Sequence, residues 1–134
     1  MTPLFVDSAY VIALINERDQ YHVQARSLAH RYRDRPLIVS EGVLLEIGNA
    51  LAGRFRLKAA QIIEQFLVSS QVEVIYTSPR LLASAIALYK QMDDKQWGLV
   101  DCISFVVMRE RGIDEALTAD HHFVQAGFRA LFSA

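Results

Sequence analysis

Five strand-like segments of three to five residues, Leu4 to Val6, Leu37 to Val39, Val72 to Tyr76, Ala116 to Thr118 and Phe128 to Phe132, wholly apolar or mostly so, are spaced along a chain of 134 residues. Between them, apolar side chains recur every three to four positions, the period of a helix buried along one stripe. Short strands that alternate with helices cannot pair as hairpins. They imply a mostly parallel central sheet covered on both faces, a three-layer α/β/α arrangement. In such sheets ligands bind beyond the carboxyl ends of the strands, where the strand order reverses.

The intervening segments carry their own start and stop signals. Ser8 to Glu17 reads as a helix, and Asp19 can cap a second one from Gln20 to about Arg33. Ser40 and Glu41 open a third, with Val43, Leu44, Ile47, Ala50 and Leu51 on one stripe and Gly53 as its stop. A fourth spans Leu57 to about Ser69, and Ser78-Pro79 starts a fifth that runs to Met92. Gly98 begins the most apolar helix, which Gly112 ends after Arg111. Asp120 caps a short last helix to Ala126, and Gly127 leads into the final strand. Pro3, Pro36 and Pro79 each stand at an element start, and no linker or repeat interrupts the pattern. With 52% apolar residues, a chain of this length suits one domain, 1–134, around one core.

A net charge of −1, from 14 basic and 15 acidic side chains, argues against a general electrostatic binder of nucleic acid. It leaves room for a nucleic-acid substrate met by local basic clusters. Cys102, the single cysteine, permits no internal disulfide, as expected of a cytoplasmic protein, and its apolar flanks suit a packed thiol. No run approaches the ~20 apolar residues of a membrane span, and no signal peptide is evident.

Acids punctuate this pattern where buried backbone meets open space. Asp7 closes the first strand and Asp120 follows the fourth, while Glu46 and Asp101 interrupt apolar helical stretches. Each alone has an ordinary explanation: an N-cap for Asp7 or Asp120, a first-turn dipole partner for Asp101, a solvated residue for Glu46. At 100° per residue, however, Glu46 falls at the edge of its helix's buried stripe, and Asp101 sits on a helix apolar on nearly every side. Buried carboxylates need a partner or a cation. Hard oxygen ligands select Mg²⁺ or Mn²⁺, and such an ion suits phosphodiester hydrolysis by activating water and neutralising the scissile phosphate. Ser8 and Thr118, beside Asp7 and Asp120, offer hydroxyls that can fix a ligand or water.

Phe5-Val6-Asp7-Ser8, Leu45-Glu46-Ile47-Gly48-Asn49-Ala50, Leu99-Val100-Asp101-Cys102-Ile103-Ser104-Phe105 and Leu117-Thr118-Ala119-Asp120-His121-His122-Phe123 together resemble the PIN domain, most closely its small ribonuclease toxins of VapC type. The likeness covers essentially the whole chain. It implies a metal-dependent endoribonuclease with Asp7, Glu46, Asp101 and Asp120 as its acidic site, Asp7 and Asp101 binding Mg²⁺ most directly. It further implies a homodimer and a cognate antitoxin that blocks the site. A PIN-like RNA-processing nuclease outside such a pair, or a silent partner-binding module, are the alternatives; loss of an acid would mark the latter, and all four are present.

Weaker candidates surround this core. Arg31, Arg33 and Arg35, and Arg54, Arg56 and Lys58, form two basic clusters able to follow an RNA backbone. Trp97 can stack on a base, Asp93 or Asp94 can add an acid, and Ile12, Ile15, Tyr21 and Val23 can line a groove for an antitoxin helix. Adjacent helical rings should diverge, so neither His121 nor His122 is assigned to zinc. A phosphoacceptor receiver domain, also small and doubly wound, is disfavoured because the strands ending at Val39 and Tyr76 deliver Ser40 and Thr77 instead of an aspartate.

Overall fold

The computed structural model describes residues 1–132. In chain order the elements are β1 (Leu4–Val6), α1 (Ser8–Ile15), α2 (His22–Arg31), β2 (Leu37–Ser40), α3 (Glu41–Ala50), α4 (Arg56–Val68), β3 (Val72–Ile75), α5 (Pro79–Gln91), α6 (Leu99–Arg111), β4 (Glu115–Leu117), α7 (His121–Gln125) and β5 (Arg129–Ala130). All five strands pair in parallel, in the order β3-β2-β1-β4-β5. Growth from β1 runs first towards β2 and β3 and later the other way, through β4 to β5. The strand order therefore reverses between β1 and β4. Right-handed crossovers place α1 to α4 on one face and α5 to α7 on the other. The packing of α1 on α2 and α3, and of α6 on α5 and α7, agrees. This is the three-layer architecture expected from the sequence.

β1 is the centre of the molecule: Leu4, Phe5 and Val6 have no exposed surface, as a central strand covered on both faces requires. Phe5 packs on Phe123, which meets Phe105 edge-on at 5.0 Å, and Trp97 meets the same Phe105 at 4.9 Å. Those contacts tie the starts of α6 and α7 to the sheet.

Several boundaries move for identifiable reasons. The Asp19 carboxylate accepts from the Tyr21 amide at 2.8 Å, closing a turn that delays α2 to His22. α3 stops at Ala50, before Gly53, and Ala50 is exposed instead of joining the stripe. The last strand shortens to Arg129–Ala130, while the Leu131 and Phe132 amides still donate to the Ala116 and Thr118 carbonyls and the Phe132 ring stacks on Tyr21 at 5.5 Å. Ser40 and Ser78 accept from the amides of Val43 and Leu81, so both serine caps form. Gly112 takes a φ of 64°, the left-handed stop that a glycine permits at the end of α6.

Candidate active site

The reversal between β1 and β4 leaves a crevice at the carboxyl ends of those strands, and Asp7 opens it. Its side chain is only 6% exposed. It stands at the N-cap position of α1, yet makes no side-chain cap bond there. The Thr118 hydroxyl instead donates to Asp7 Oδ2 at 2.7 Å, and the Asp120 amide donates to the same hydroxyl oxygen at 2.9 Å. One threonine thus joins the ends of β1 and β4. Asp120 does serve as a cap: its Oδ1 accepts from the His122 amide at 2.9 Å.

Glu46 and Asp101 arrive from helices. On α3, Gly42 faces Val100 of α6 so closely that a Cβ there would meet Val100 Cγ1 at 3.3 Å. Glu46 lies one helical turn beyond Gly42, and Asp101 follows Val100, so this close approach brings the two acids to the crevice. The Ser8 hydroxyl donates to Glu46 Oε1 at 3.0 Å, and the Gly98 amide donates to Asp101 Oδ2 at 3.0 Å.

Charge coupling runs through the four carboxyls. Burial pushes Asp7 up to about 7, against the lowering effect of Thr118 and the Ser8 amide, and the charges of Asp101 and Glu46 raise it further. Burial also raises Glu46, with Asp101 and Asp120 adding repulsion, and raises Asp101, where Asp120 opposes ionisation and His122 favours it. Every pair is linked this way except Asp7 with Asp120, and Thr118 joins that one. Among the described residues no lysine or arginine forms an ion pair with any of the four; only imidazoles approach, His121 Nδ1 3.7 Å from Asp120 Oδ1, and His122 Nδ1 3.3 Å from Asp101 Oδ2 and 3.4 Å from Asp120 Oδ1. That nitrogen is buried and aligned for a hydrogen bond with neither. Coupled acids with no lysine or arginine beside them are chemically suited to a divalent ion, and the oxygen donors of Asp7, Glu46, Asp101 and Asp120 fit Mg²⁺ or Mn²⁺ by type.

The weaker candidates fare differently. Trp97 is 5% exposed, and its Nε1 donates to Gln125 Oε1 at 2.9 Å, so it has no free face for a base. Arg54 turns to Glu17 and lies over Phe55, while Arg56 donates to the Ala52 carbonyl; these contacts fall near the ends of α1 and α3, away from Asp7. Lys58 borders a groove between α1 and α4 with Leu14, Ile15 and Ile62. Arg35 bonds the Thr2 carbonyl and pairs with Glu115, at the amino ends of β1 and β4 and hence the opposite end of the sheet. Arg31 leans over Tyr32, and Arg33 contacts His30. Asp94 pairs with Lys95, and Asp93 lines a cleft of about 500 Å³ beside Gly98. Ile15 is buried, and Ile12 and Tyr21 pack against the core, so of the expected groove residues only Val23 is fully open. His121 and His122 correct an expectation outright: their rings do not diverge but sit 4.5 Å apart. The signal for His122 was its place two residues after a capping aspartate, which turns it back over the crevice.

Comparison with known proteins places these observations in context. The PIN-domain family model matches residues 4–129. The 23S rRNA-specific endonuclease VapC20 of Mycobacterium tuberculosis is 32% identical over 127 residues, covering 93% of this chain and 95% of that protein. The crystal structure of VapC20, described there as a sarcin–ricin loop cleaving toxin, superposes with a TM-score of 0.84 at 30% identity over 93% of this chain and 95% of that one. A VapBC2 structure from Rickettsia felis bound to promoter DNA shares the fold at a TM-score of 0.64 and 14% identity, over 95% of this chain and 96% of that one.

Proposed function

The chain belongs to the PIN-domain family, and from that premise we propose that it is a divalent-metal-dependent endoribonuclease, a single-domain toxin of a toxin–antitoxin pair. The observation that carries this is the charge coupling of Asp7, Glu46, Asp101 and Asp120 at the reversal of strand order, where Thr118 joins Asp7 to the backbone of Asp120. Asp7, Asp101, Asp120 and Glu46 are the residues that would hold Mg²⁺ or Mn²⁺. When bound, the ion neutralises the scissile phosphate and acidifies water.

The protein's own groups supply the rest. Thr118 holds one oxygen of Asp7 and fixes the carboxyl at the end of β1. Ser8 occupies Glu46 Oε1, so Oε2 is the oxygen free to take a proton from the attacking water. Burial and its acidic neighbours make Glu46 a stronger base than an exposed glutamate, as proton abstraction requires. Water oxygen bonds to phosphorus, the bond to O3′ breaks, and the products are a 5′-phosphate and a 3′-hydroxyl that collects its proton from solvent.

The likeness to VapC20 makes 23S ribosomal RNA the first substrate to test, and the cytoplasm the place of action. An antitoxin segment would enter between α1 and α4, where Leu14, Ile15 and Ile62 line an open groove and Leu57 is 78% exposed. A second copy would cover Leu82, Ile86 and Tyr89, a stripe left exposed along α5. Purified protein incubated with 23S rRNA should cut it at discrete positions with Mg²⁺ or Mn²⁺ and not with EDTA, and Asp101→Asn should abolish the cut. A silent partner-binding module would bind antitoxin yet leave the RNA whole under every metal.

A further inference from the structure

Beside the oxygen-only acids, the structure gathers a second set of donors. One ligand atom from each of Asp120, His121 and His122 lies within 4.8 Å of the other two. Nδ1 of His121 is 3.7 Å from Asp120 Oδ1, and Nδ1 of His122 is 3.4 Å from the same oxygen. The ring centroids stand 4.5 Å apart at 49°, so both imidazoles address one region. The His122 amide anchors that carboxylate, which fixes it over the first turn of α7.

His122 Nδ1 is the independent pointer. It is buried, has two carboxylate oxygens within 3.5 Å and bonds to neither. Buried ring nitrogens are normally satisfied. One that faces carboxylates without bonding them is poised for a cation between them. His121, whose side chain is three-quarters exposed, can swing to complete the set. Imidazole is a poor ligand for Mg²⁺ and a good one for borderline transition metals, whose affinities climb towards copper and zinc.

We infer that Asp120, His121 and His122 form a mixed nitrogen–oxygen site for a borderline transition-metal dication of the Zn²⁺ or Co²⁺ class, sharing Asp120 with the acid cluster. Because the site draws on Asp120 and abuts Asp101, filling it removes carboxylate from the Mg²⁺ set. Zn²⁺ should therefore inhibit cleavage supported by Mg²⁺. The inference stands on the geometry of α7 and does not require that RNA be the substrate.

The test uses wild-type protein with ¹⁵N-labelled histidine, free of RNA, titrated with Zn²⁺. The ring-nitrogen signals of His121 and His122 should move together and stop at one equivalent. His22, whose Nδ1 is 2.7 Å from the Ala13 carbonyl, and His30, beside Arg33, should stay put. Calorimetry on His122→Gln should show Zn²⁺ affinity reduced at least about 10–100-fold, the range for losing a group that merely orients a ligand, since here a ligand itself is removed. Unmoved His121 and His122 signals, or shifts spread equally to His30, would overturn the proposal. A doubly protonated His122 ring that Zn²⁺ fails to deprotonate would overturn it too. A parallel Mg²⁺ titration read at the carboxyl carbons of Asp7 and Asp101 keeps the two conclusions apart: failure there with an intact Zn²⁺ response defeats only the ribonuclease metal assignment.

Discussion

The Asp7 carboxyl, raised to about 7 at the mouth of β1, makes the folded state bind a proton that the unfolded chain releases near 4. Below both values it has no effect on stability. As pH rises from about 4 to 7 the metal-free fold loses stability, because ionisation is easier in the unfolded chain, and above 7 the loss is complete. Asp7→Asn keeps an oxygen to accept from Thr118 and removes the charge. In EDTA its melting temperature should exceed wild type at pH 8, by a margin worth a few kcal/mol, and the difference should vanish by pH 4; RNA cleavage should be lost. Equal melting curves at pH 8 would contradict the burial of that charge. Thr118→Val removes the hydroxyl that favours ionised Asp7 and receives the Asp120 amide. Cleavage should fall roughly 10–100-fold, as for other groups that orient metal ligands, with Thr118→Ser largely restoring it, and ¹³C titration should show Asp7 raised further.

Elements deliver these residues, and the meeting of α3 with α6 is the joint most sensitive to a single atom. A Cβ at position 42 would come within 3.3 Å of Val100, so Gly42→Ala forces a shift of a few tenths of an ångström between the helices that carry Glu46 and Asp101. Alanine is the better helix former by ~1 kcal/mol, which offsets the crowding in stability. The melting temperature should therefore change little while kcat drops, and Gly42→Val should cost about 100-fold, the penalty of a misplacement near 1 Å. Unchanged kcat in both variants would show that this contact does not set the acids. At the other end of α6, Gly112→Ala should cost about 1–2 kcal/mol by placing a Cβ in the left-handed region, read as a lower denaturant midpoint at constant slope. Such joints explain what the sequence hides. Run length and helical period disclosed the strands, the capping serines and the stop at Gly112, since each is local. The stop of α3 three residues before Gly53 has no such local signal, and the stacking of Phe132 on Tyr21 depends on contact between distant segments.

For the molecule as a whole, the acids were legible because a carboxylate at the carboxyl end of a buried strand is costly wherever it occurs. The ring of His122 was not, because helical spacing alone suggests that adjacent side chains diverge, whereas a five-residue helix entered through a capping aspartate need not obey that rule. Trp97, a weak candidate for base stacking whose expected role is packing, is buried against Phe105 and bonded to Gln125 although its neighbourhood in sequence is polar. If the acids repel in the metal-free fold, a divalent ion should stabilise the entire molecule. Mn²⁺ at about 100 times its dissociation constant should add roughly 2.7 kcal/mol, seen as a melting temperature that climbs with metal and falls back with EDTA. No helix among the described residues is long and apolar enough to cross a membrane. With a second copy seated on the exposed α5 stripe, as proposed above, Ile86→Lys should convert a dimer to a monomer in sedimentation; an unchanged mass would overturn that placement.

The Thr118 hydroxyl reaches Asp7 across 111 positions of sequence, and that span sets the order in which the crevice can be assembled. Ser8 can hold Glu46 once α3 has docked, and Gly98 holds Asp101 within a single turn. The carboxyl end of β1 stays unfastened until β4 pairs beside it, so the acid cluster closes only with the joining of those two strands.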